Sequence, residues 1–135
     1  MVALASGIQA TGAGRWLPQE ISPLITFMAG LPVLLRLGLS LSAGFVEEVF
    51  FRGFLQGRMG ILASSALFVL AHLTYGQPLM LVGIALLSLV FAQLTRWRHN
   101  VLPAMAAHAV FDAVQLLFML PTQVPQAGSP PLGIC

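Results

Sequence analysis

The residues best suited to do chemistry in this chain are three acids and two histidines set within apolar sequence. The chain has four acidic residues, and Glu47, Glu48 and Asp112 lie inside or beside apolar stretches. His72 and His108 stand in similar surroundings. Ionisable side chains at such positions are costly and by default mark function. Carboxylates and imidazoles that share one site can hold and activate a water molecule, so these five residues are the candidate site.

Spacing along a helix indicates how these groups pair. Glu48 and Arg52 are four residues apart with the acid first, the favourable order for a helical ion pair. Glu47 lies about 100° round the helix from Glu48 and therefore points elsewhere. His108 and Asp112 share one helix face. We expect Glu48 to pair with Arg52 while Glu47 serves the site, although a purely structural ion pair explains Glu48 and Arg52 equally well.

The other pairs also allow a structural interpretation. Phe68 precedes His72 by one helical turn, so its ring can wall the histidine. A lone intramembrane histidine such as His72 is as readily a helix–helix hydrogen bond, and His108 with Asp112 is as readily a structural clasp. Glu47 fits such an interpretation least well, because its i+3 and i+4 neighbours are both phenylalanine and offer no cation.

Composition narrows the class of protein. Of 135 residues, 58% are hydrophobic and 7% are charged, the mean hydropathy is +0.91, and all six basic residues are arginine. A soluble domain of this length cannot hide so much apolar surface. The composition excludes a disordered chain, a nucleic-acid binder and a typical cytosolic enzyme, and it indicates a polytopic membrane protein. The single cysteine, Cys135, cannot form an internal disulfide.

The elements that must position the site are apolar helices. A loose tail is expected over 1–20, a transmembrane domain over 21–121 and a flexible Pro/Gly-rich tail over 122–135. An alternative to one long first helix is a span over 21–37 with a separate helix from Leu39. Gly53-x-x-x-Gly57 is expected to be a close helix-packing motif, and His99 is expected in a loop. The expected helices cover 33–57, 61–73, 79–94 and 101–120.

Arginine positions predict the topology. Arg52 and Arg58 flank one connector, and Arg96 and Arg98 lie in another. Both connectors are expected on one face of the membrane, which the positive-inside rule makes cytoplasmic. Arg36 is then near the opposite face, where it can snorkel.

Distances counted from these connectors place the candidate residues at one depth. At 1.5 Å per residue, Glu47 lies roughly 16 Å deep, His72 about 18 Å and His108 about 15 Å. Three ionisable groups on three helices therefore meet near mid-membrane. This predicts one polar site with the three side chains within about 10 Å of one another.

Three motifs in this order resemble a known family. E-E-x-x-x-R covers 47–52, F-x-x-x-H covers 68–72, and H-x-x-x-N/D covers 108–112. Their spacing, and their extended contexts over about 44–115, resemble the intramembrane CAAX-prenyl-protease and bacteriocin-processing family, the CPBP or Rce1-like/Abi group. The apolar helices of this chain predict an all-α, polytopic transmembrane helical bundle with three to four spanning helices around a buried polar site, which agrees with the resemblance. Family members usually carry more helices, so the N-terminal part looks reduced.

The resemblance also implies a mechanism. Glu47 would be the general base for a water molecule that His72 also polarises, and His108 and Asp112 would face the scissile carbonyl. His108 would donate to the oxyanion while Asp112 fixes its tautomer. The last motif ends in Asp112, where eukaryotic CAAX proteases typically have Asn. Supporting residues are Glu48, Arg52 and Phe68.

The family has been described both as metalloproteases and as metal-free, glutamate-dependent enzymes. Glu47, His72 and His108 are a plausible Zn²⁺ set. The chain has no H-E-x-x-H motif, so the sequence leaves both mechanisms open and no cofactor is certain.

The expected function is an integral-membrane endopeptidase of a bacterial cell membrane. Its partners would be the lipid bilayer and a peptide or membrane-protein substrate, either prenylated as in CAAX-box protein processing or unmodified, and no nucleic acid. A rival is a non-catalytic membrane protein of the same fold, such as a bacteriocin-immunity or scaffold protein. A proton or metal transporter is a further rival, although the paired internal repeats typical of transporters are not seen in the sequence.

Overall fold

The computed structural model describes residues 23–76 and 78–119. The tails expected over 1–20 and 122–135 lie outside these residues. The described chain includes two π-helical segments, Val49–Leu55 and Gln115–Met119, and one 3₁₀ turn, Leu73–Tyr75. The described residues contain helices and no strand. The helices are α1 (Pro23–Gly30), α2 (Val33–Glu48), α3 (Gln56–Ala71), α4 (Pro78–Arg98) and α5 (Leu102–Val114).

Length and hydropathy make the described helices a membrane bundle. Three stretches, Val33–Tyr75, Pro78–Arg98 and Leu102–Met119, are long and apolar enough to cross a bilayer. Large apolar side chains face outward, as shown by Leu34 at 79% and Leu62 at 78% exposure. Exposure of this much apolar surface to water would be unfavourable, whereas its contact with lipid hydrocarbon is not. The expected all-α transmembrane bundle is confirmed, and the first stretch long enough to cross the bilayer begins at Val33 rather than at Leu39.

The first stretch is a helical hairpin. Gly60 has φ 83° and ψ 173°, which ends one helix and starts the next, and glycine adopts this backbone without a Cβ clash. The Ser64 hydroxyl then donates to the Phe51 carbonyl at 2.6 Å, and the Phe51 and Phe68 rings meet edge to face at 5.0 Å. Residues this far apart in sequence touch only because the chain reverses. The chain reverses at Gly60, between the expected helices over 33–57 and 61–73, while 57–59 are still helical.

The closest helix crossing lies between α2 and α5. A Cβ on Gly44 would stand 2.8 Å from the Met105 carbonyl oxygen and 2.9 Å from the Ala109 Cβ. Only glycine allows the two backbones to approach this far. The packing role predicted for Gly53-x-x-x-Gly57 is wrong, because a Cβ at Gly57 would meet nothing within 4 Å. The crossing at Gly44 lies one turn before the paired glutamates, so it fixes the distance from α2 to the histidine on α5.

The two arginine-bearing connectors lie at one end of the bundle. Gly60 and Ile61 from the first connector line the same cavity as Arg96 and His99 from the second. Their predicted common face is therefore confirmed, and the cytoplasmic orientation stays a prediction. At the opposite end, Arg36 does not simply snorkel, since its Nη1 donates to the Leu116 carbonyl at 2.9 Å.

Candidate functional site

A fully buried ion pair forms the foundation of the site. Arg52 Nε and Glu48 Oε2 are 3.2 Å apart, and both side chains have 0% exposure. Arg52 Nη2 also donates to the carbonyl and hydroxyl oxygens of Ser88 on α4, each at 3.1 Å. The guanidinium lies over the Phe68 ring at 4.4 Å from its centroid. The predicted pair is confirmed, and the charges compensate each other where neither contacts solvent.

The other oxygen of Glu48 holds the histidine of α5. His108 Nδ1 and Glu48 Oε1 are hydrogen-bonded at 2.9 Å. The ring nitrogen donates to the carboxylate, which fixes the orientation of the imidazole and directs its Nε2 away from Glu48. The expectation that Asp112 would fix the tautomer of His108 is not what the geometry shows. Asp112 Oδ2 instead faces Nε2 at 3.5 Å, on the side of the ring where reaction would occur.

Glu47 stands where the two histidines meet. Its Oε2 is 3.7 Å from His72 Nε2 and 3.9 Å from His108 Nε2. Both distances exceed a direct hydrogen bond and suit a bridging water molecule. The expected convergence of these three side chains within about 10 Å is seen. Glu47 is 29% exposed, in contrast to the fully buried Glu48.

Aromatic rings fix the planes of the histidines. Phe68 stacks on His72 with centroids 4.5 Å apart, as its spacing predicted, and the Phe68 carbonyl is 2.8 Å from His72 Nδ1. Nδ1 therefore donates to the carbonyl, and Nε2 is directed to Glu47. Tyr75 also stacks on His72, with ring centroids 5.6 Å apart, a contact that was not predicted from the sequence.

Two contributors to the site were missed from the sequence. Phe91 stacks on His108 at 5.1 Å, and Ser88, with 0% exposure, accepts from Arg52. Both lie on α4, which carries no ionisable residue before Arg96. In the sequence, only their spacing of three residues links Ser88 to Phe91, because it places both side chains on one face of that helix.

In both helices that carry the site acids, a π-helical segment follows the acids within three residues. Val49–Leu55 begins next to Glu48, and Gln115–Met119 begins three residues after Asp112. A π-helical turn widens the helix and re-aims the side chains next to it, and such turns are frequent at functional sites. Here the change keeps Arg52 buried against α4 while the preceding glutamates face α5.

The geometry of the described residues gives no support for a metal centre. Within residues 23–76 and 78–119, no group of three or more His, Cys, Asp or Glu side chains has a geometry that would hold a metal ion. Glu48 Oε1, the oxygen closest to His108, is already engaged by that ring in a hydrogen bond. The Zn²⁺ set suggested for Glu47, His72 and His108 therefore gains no support from this geometry.

Comparison with known proteins points the same way as the geometry. Residues 29–114 match the family model described as type II CAAX prenyl endopeptidase, Rce1-like. The chain is 32% identical over 77 residues to the uncharacterized protein YpbD of Bacillus subtilis (strain 168). This alignment covers 56% of the chain and 41% of the relative, so the chain spans about two fifths of that relative's length. No solved structure matches the chain.

Proposed function

Because this chain belongs to the Rce1-like family of type II CAAX prenyl endopeptidases, we propose that it is an intramembrane endopeptidase that uses Glu47 as its general base. The family consists of proteases, and the apolar helices make the chain an integral membrane protein. The observation that carries the proposal is the position of Glu47 Oε2, 3.7 and 3.9 Å from the two imidazole Nε2 atoms. Oε2 is buried and has no hydrogen-bond partner among the described residues, and in this proposal a water molecule held between the three atoms satisfies it.

The proposed reaction begins with that water. Glu47 accepts one proton while His72 Nε2 orients the molecule, and the oxygen attacks the scissile carbonyl carbon. When the ring of His108 carries both protons, Nδ1 remains on Glu48 and the Nε2–H donates to the developing oxyanion. The protonated Glu47 then gives its proton to the leaving amine as the carbon–nitrogen bond breaks. Water has then been added across one peptide bond, and every side chain returns to its starting state.

Asp112 and the ion pair have different roles in this scheme. Asp112 Oδ2 stands 3.5 Å from His108 Nε2, where it orients the ring next to the substrate carbonyl. Glu48, Arg52 and Phe68 touch no reacting atom. They hold His108 and the start of the π-helical segment in place, so each is a positioning residue.

We further propose a bacterial cell membrane as the location and the C-terminal part of a membrane protein or a peptide, prenylated or not, as the substrate. The lysine-free composition and the Bacillus relative support the first proposal. The depth of the site, about ten residues from either connector, supports a substrate segment that enters the bilayer.

The test is cleavage by the full chain reconstituted in lipid vesicles. Two reporter peptides of one sequence, one farnesylated at a CAAX cysteine and one unmodified, are incubated with the vesicles, and products are identified by mass spectrometry. Glu47→Gln should lower the cleavage rate by a factor of about 10² to 10⁴, the usual contribution of a general base. Glu48→Gln should lower both the rate and the thermal stability, because Glu48 is buried against Arg52 and His108.

Glu20→Gln is the matched control, since it makes the same chemical change outside the family-matched residues. It should cleave like the parent. A Glu47→Gln protein that cleaves at a rate close to the parent would show that Glu47 is not the base. A parent that cleaves neither reporter, in vesicles that retain the folded protein, would favour the non-catalytic membrane protein of the same fold.

A further inference from the structure

We propose that the connector end of the bundle carries a binding site for the phosphodiester headgroup of an anionic phospholipid, which shares only Arg52 with the peptidase site. A cavity of about 360 Å³ opens there between the hairpin turn at Gly60 and the turn that joins α4 to α5. Its basic side chains are Arg52, Arg96 and His99. None of the residues described as lining it is acidic.

The inner wall contains an unused donor. Arg52 is only 3% exposed, with its Nε 3.2 Å from Glu48 Oε2 and its Nη2 donating to Ser88. Its Nε and Nη1 are buried and have no hydrogen-bond partner among the described residues. A buried donor without a partner is costly unless a ligand or solvent satisfies it. Because Arg52 also lines the cavity, a small shift of its guanidinium would let Nη1 donate to an anionic oxygen placed there.

The outer wall is held in a fixed shape. His99 adopts a left-handed backbone with φ 50°, which is uncommon for a residue other than glycine. The turn is pinned by Asn100, whose side-chain oxygen accepts from the Leu102 amide at 2.9 Å. On the facing wall, Gln56 Nε2 donates to the Ala92 carbonyl at 3.0 Å and ties the hairpin to α4. The backbone of both walls is therefore positioned before a ligand arrives.

The other connector arginines are engaged elsewhere. Arg58 lies 3.8 Å from the centroid of the Phe54 ring and donates to the Phe54 carbonyl at 3.0 Å. Arg98 lies 5.9 Å from the Trp97 ring centroid and does not line the cavity. Arg96 is exposed, so its guanidinium is the group that can close over a headgroup.

The setting favours a lipid over a soluble anion. Trp97, next to Arg96, is 72% exposed, and tryptophan marks the headgroup level of a bilayer. Ile61 gives the cavity an apolar wall, and the neighbouring Leu62 is 78% exposed towards lipid. A phosphodiester with attached acyl chains matches a cationic cavity that continues into an apolar helix surface. Basic pockets between membrane helices bind anionic headgroups in this way.

The experiment uses quenching of Trp97 fluorescence by brominated lipids. The full chain with Trp16→Phe, which leaves Trp97 as the one tryptophan, is placed in phosphatidylcholine vesicles containing 20% brominated phosphatidylglycerol or 20% brominated phosphatidylcholine. We expect phosphatidylglycerol to quench with about a fivefold higher apparent affinity. Arg96→Gln should remove most of this preference, since one basic residue near an anionic surface is worth about 1 kcal/mol, or about fivefold. His99→Gln should weaken it as well.

Arg98→Gln is the matched control, because it removes the same charge from the same connector but not from the cavity. It should change the preference by less than about twofold. Equal quenching by the two lipids would overturn the proposal, and so would an Arg98→Gln effect as large as that of Arg96→Gln. Displacement of phosphatidylglycerol by millimolar inorganic phosphate, or by a peptide with a free C-terminal carboxylate, would assign the cavity to a soluble anion or to substrate and would overturn the lipid assignment.

Discussion

Glu47 and Glu48 are neighbours in sequence but belong to opposite halves of one site. Glu48 is fully buried, and both of its oxygens are engaged, by Arg52 and by His108. Glu47 is 29% exposed and lies at 3.7 and 3.9 Å from two imidazoles. The first half, called the tied half here, consists of Glu48, Arg52 and Ser88. The second, the open half, consists of Glu47, His72 and Asp112.

The comparison shows how one helix supplies both rigidity and reactivity. A buried carboxylate with one oxygen against a guanidinium and the other bonded to an imidazole is a good anchor, but it has no oxygen available to accept a proton from a substrate water. A carboxylate near imidazoles but out of direct contact keeps that oxygen free. We therefore expect substitutions in the tied half to lower stability first, and substitutions in the open half to lower activity while the fold remains.

The largest effect on stability is expected from Arg52→Ala. It leaves Glu48 buried beside an empty volume, and the loss of one partner of a buried ion pair typically costs about 3–5 kcal/mol. Arg58→Ala is the matched control, because Arg58 is exposed and contacts only the Phe54 ring and carbonyl. Thermal unfolding of both proteins in detergent measures the difference. Equal melting temperatures would mean that the tied half contributes no special stability.

A smaller effect is expected from Ser88→Ala. It removes the hydroxyl that accepts from Arg52 Nη2 but leaves the Ser88 carbonyl in place, so the cost should be about 1 kcal/mol. Since Ser88 touches no reacting atom, the cleavage rate at saturating reporter should fall less than after Glu47→Gln. Ser88→Thr, which keeps the hydroxyl, should recover part of the stability. A Ser88→Ala protein that is stable but inactive would assign Ser88 to the open half.

The smallest effect is expected from Asp112→Asn. Asp112 is 28% exposed, and its Oδ2 lies 3.5 Å from His108 Nε2, so an amide oxygen can keep this contact. The melting temperature should stay within the range of an ordinary surface substitution, about 0.5 kcal/mol, and reporter cleavage should remain measurable. Complete loss of cleavage with an unchanged melting temperature would show that the negative charge itself is required, and it would give Asp112 a larger share in the chemistry.

Local spacing predicted the parts of the site that lie within one helix. The Glu48–Arg52 pair and the stacking of Phe68 on His72 follow from residues one turn apart. The common depth of the acids and histidines followed from counting residues to the connectors. These inferences need only the geometry of single helices and the cost of charge in an apolar layer.

The parts that depend on how helices face one another were not predictable in this way. Ser88 and Phe91 look like ordinary residues of an apolar helix until α4 is placed against Arg52 and His108. The close crossing falls at Gly44 instead of Gly53-x-x-x-Gly57, because a glycine spacing does not say which helix face meets a partner. The contact of Glu48, and not Asp112, with His108 Nδ1 could not be predicted for the same reason, because the sequence does not give the relative orientation of α2 and α5.

The reversal at Gly60 has a consequence for the surrounding bilayer. The segment from Ile61 to Tyr75 measures about 22 Å at 1.5 Å per residue, against about 30 Å of hydrocarbon in a typical membrane. Such hydrophobic mismatch is relieved by local thinning of the lipid or by a neighbour that covers the short end. In both cases hydrocarbon tails do not reach past the end of this segment. His72, three residues before Tyr75, then lies close beneath the hydrated headgroup layer, which shortens the path by which water reaches a site inside the membrane.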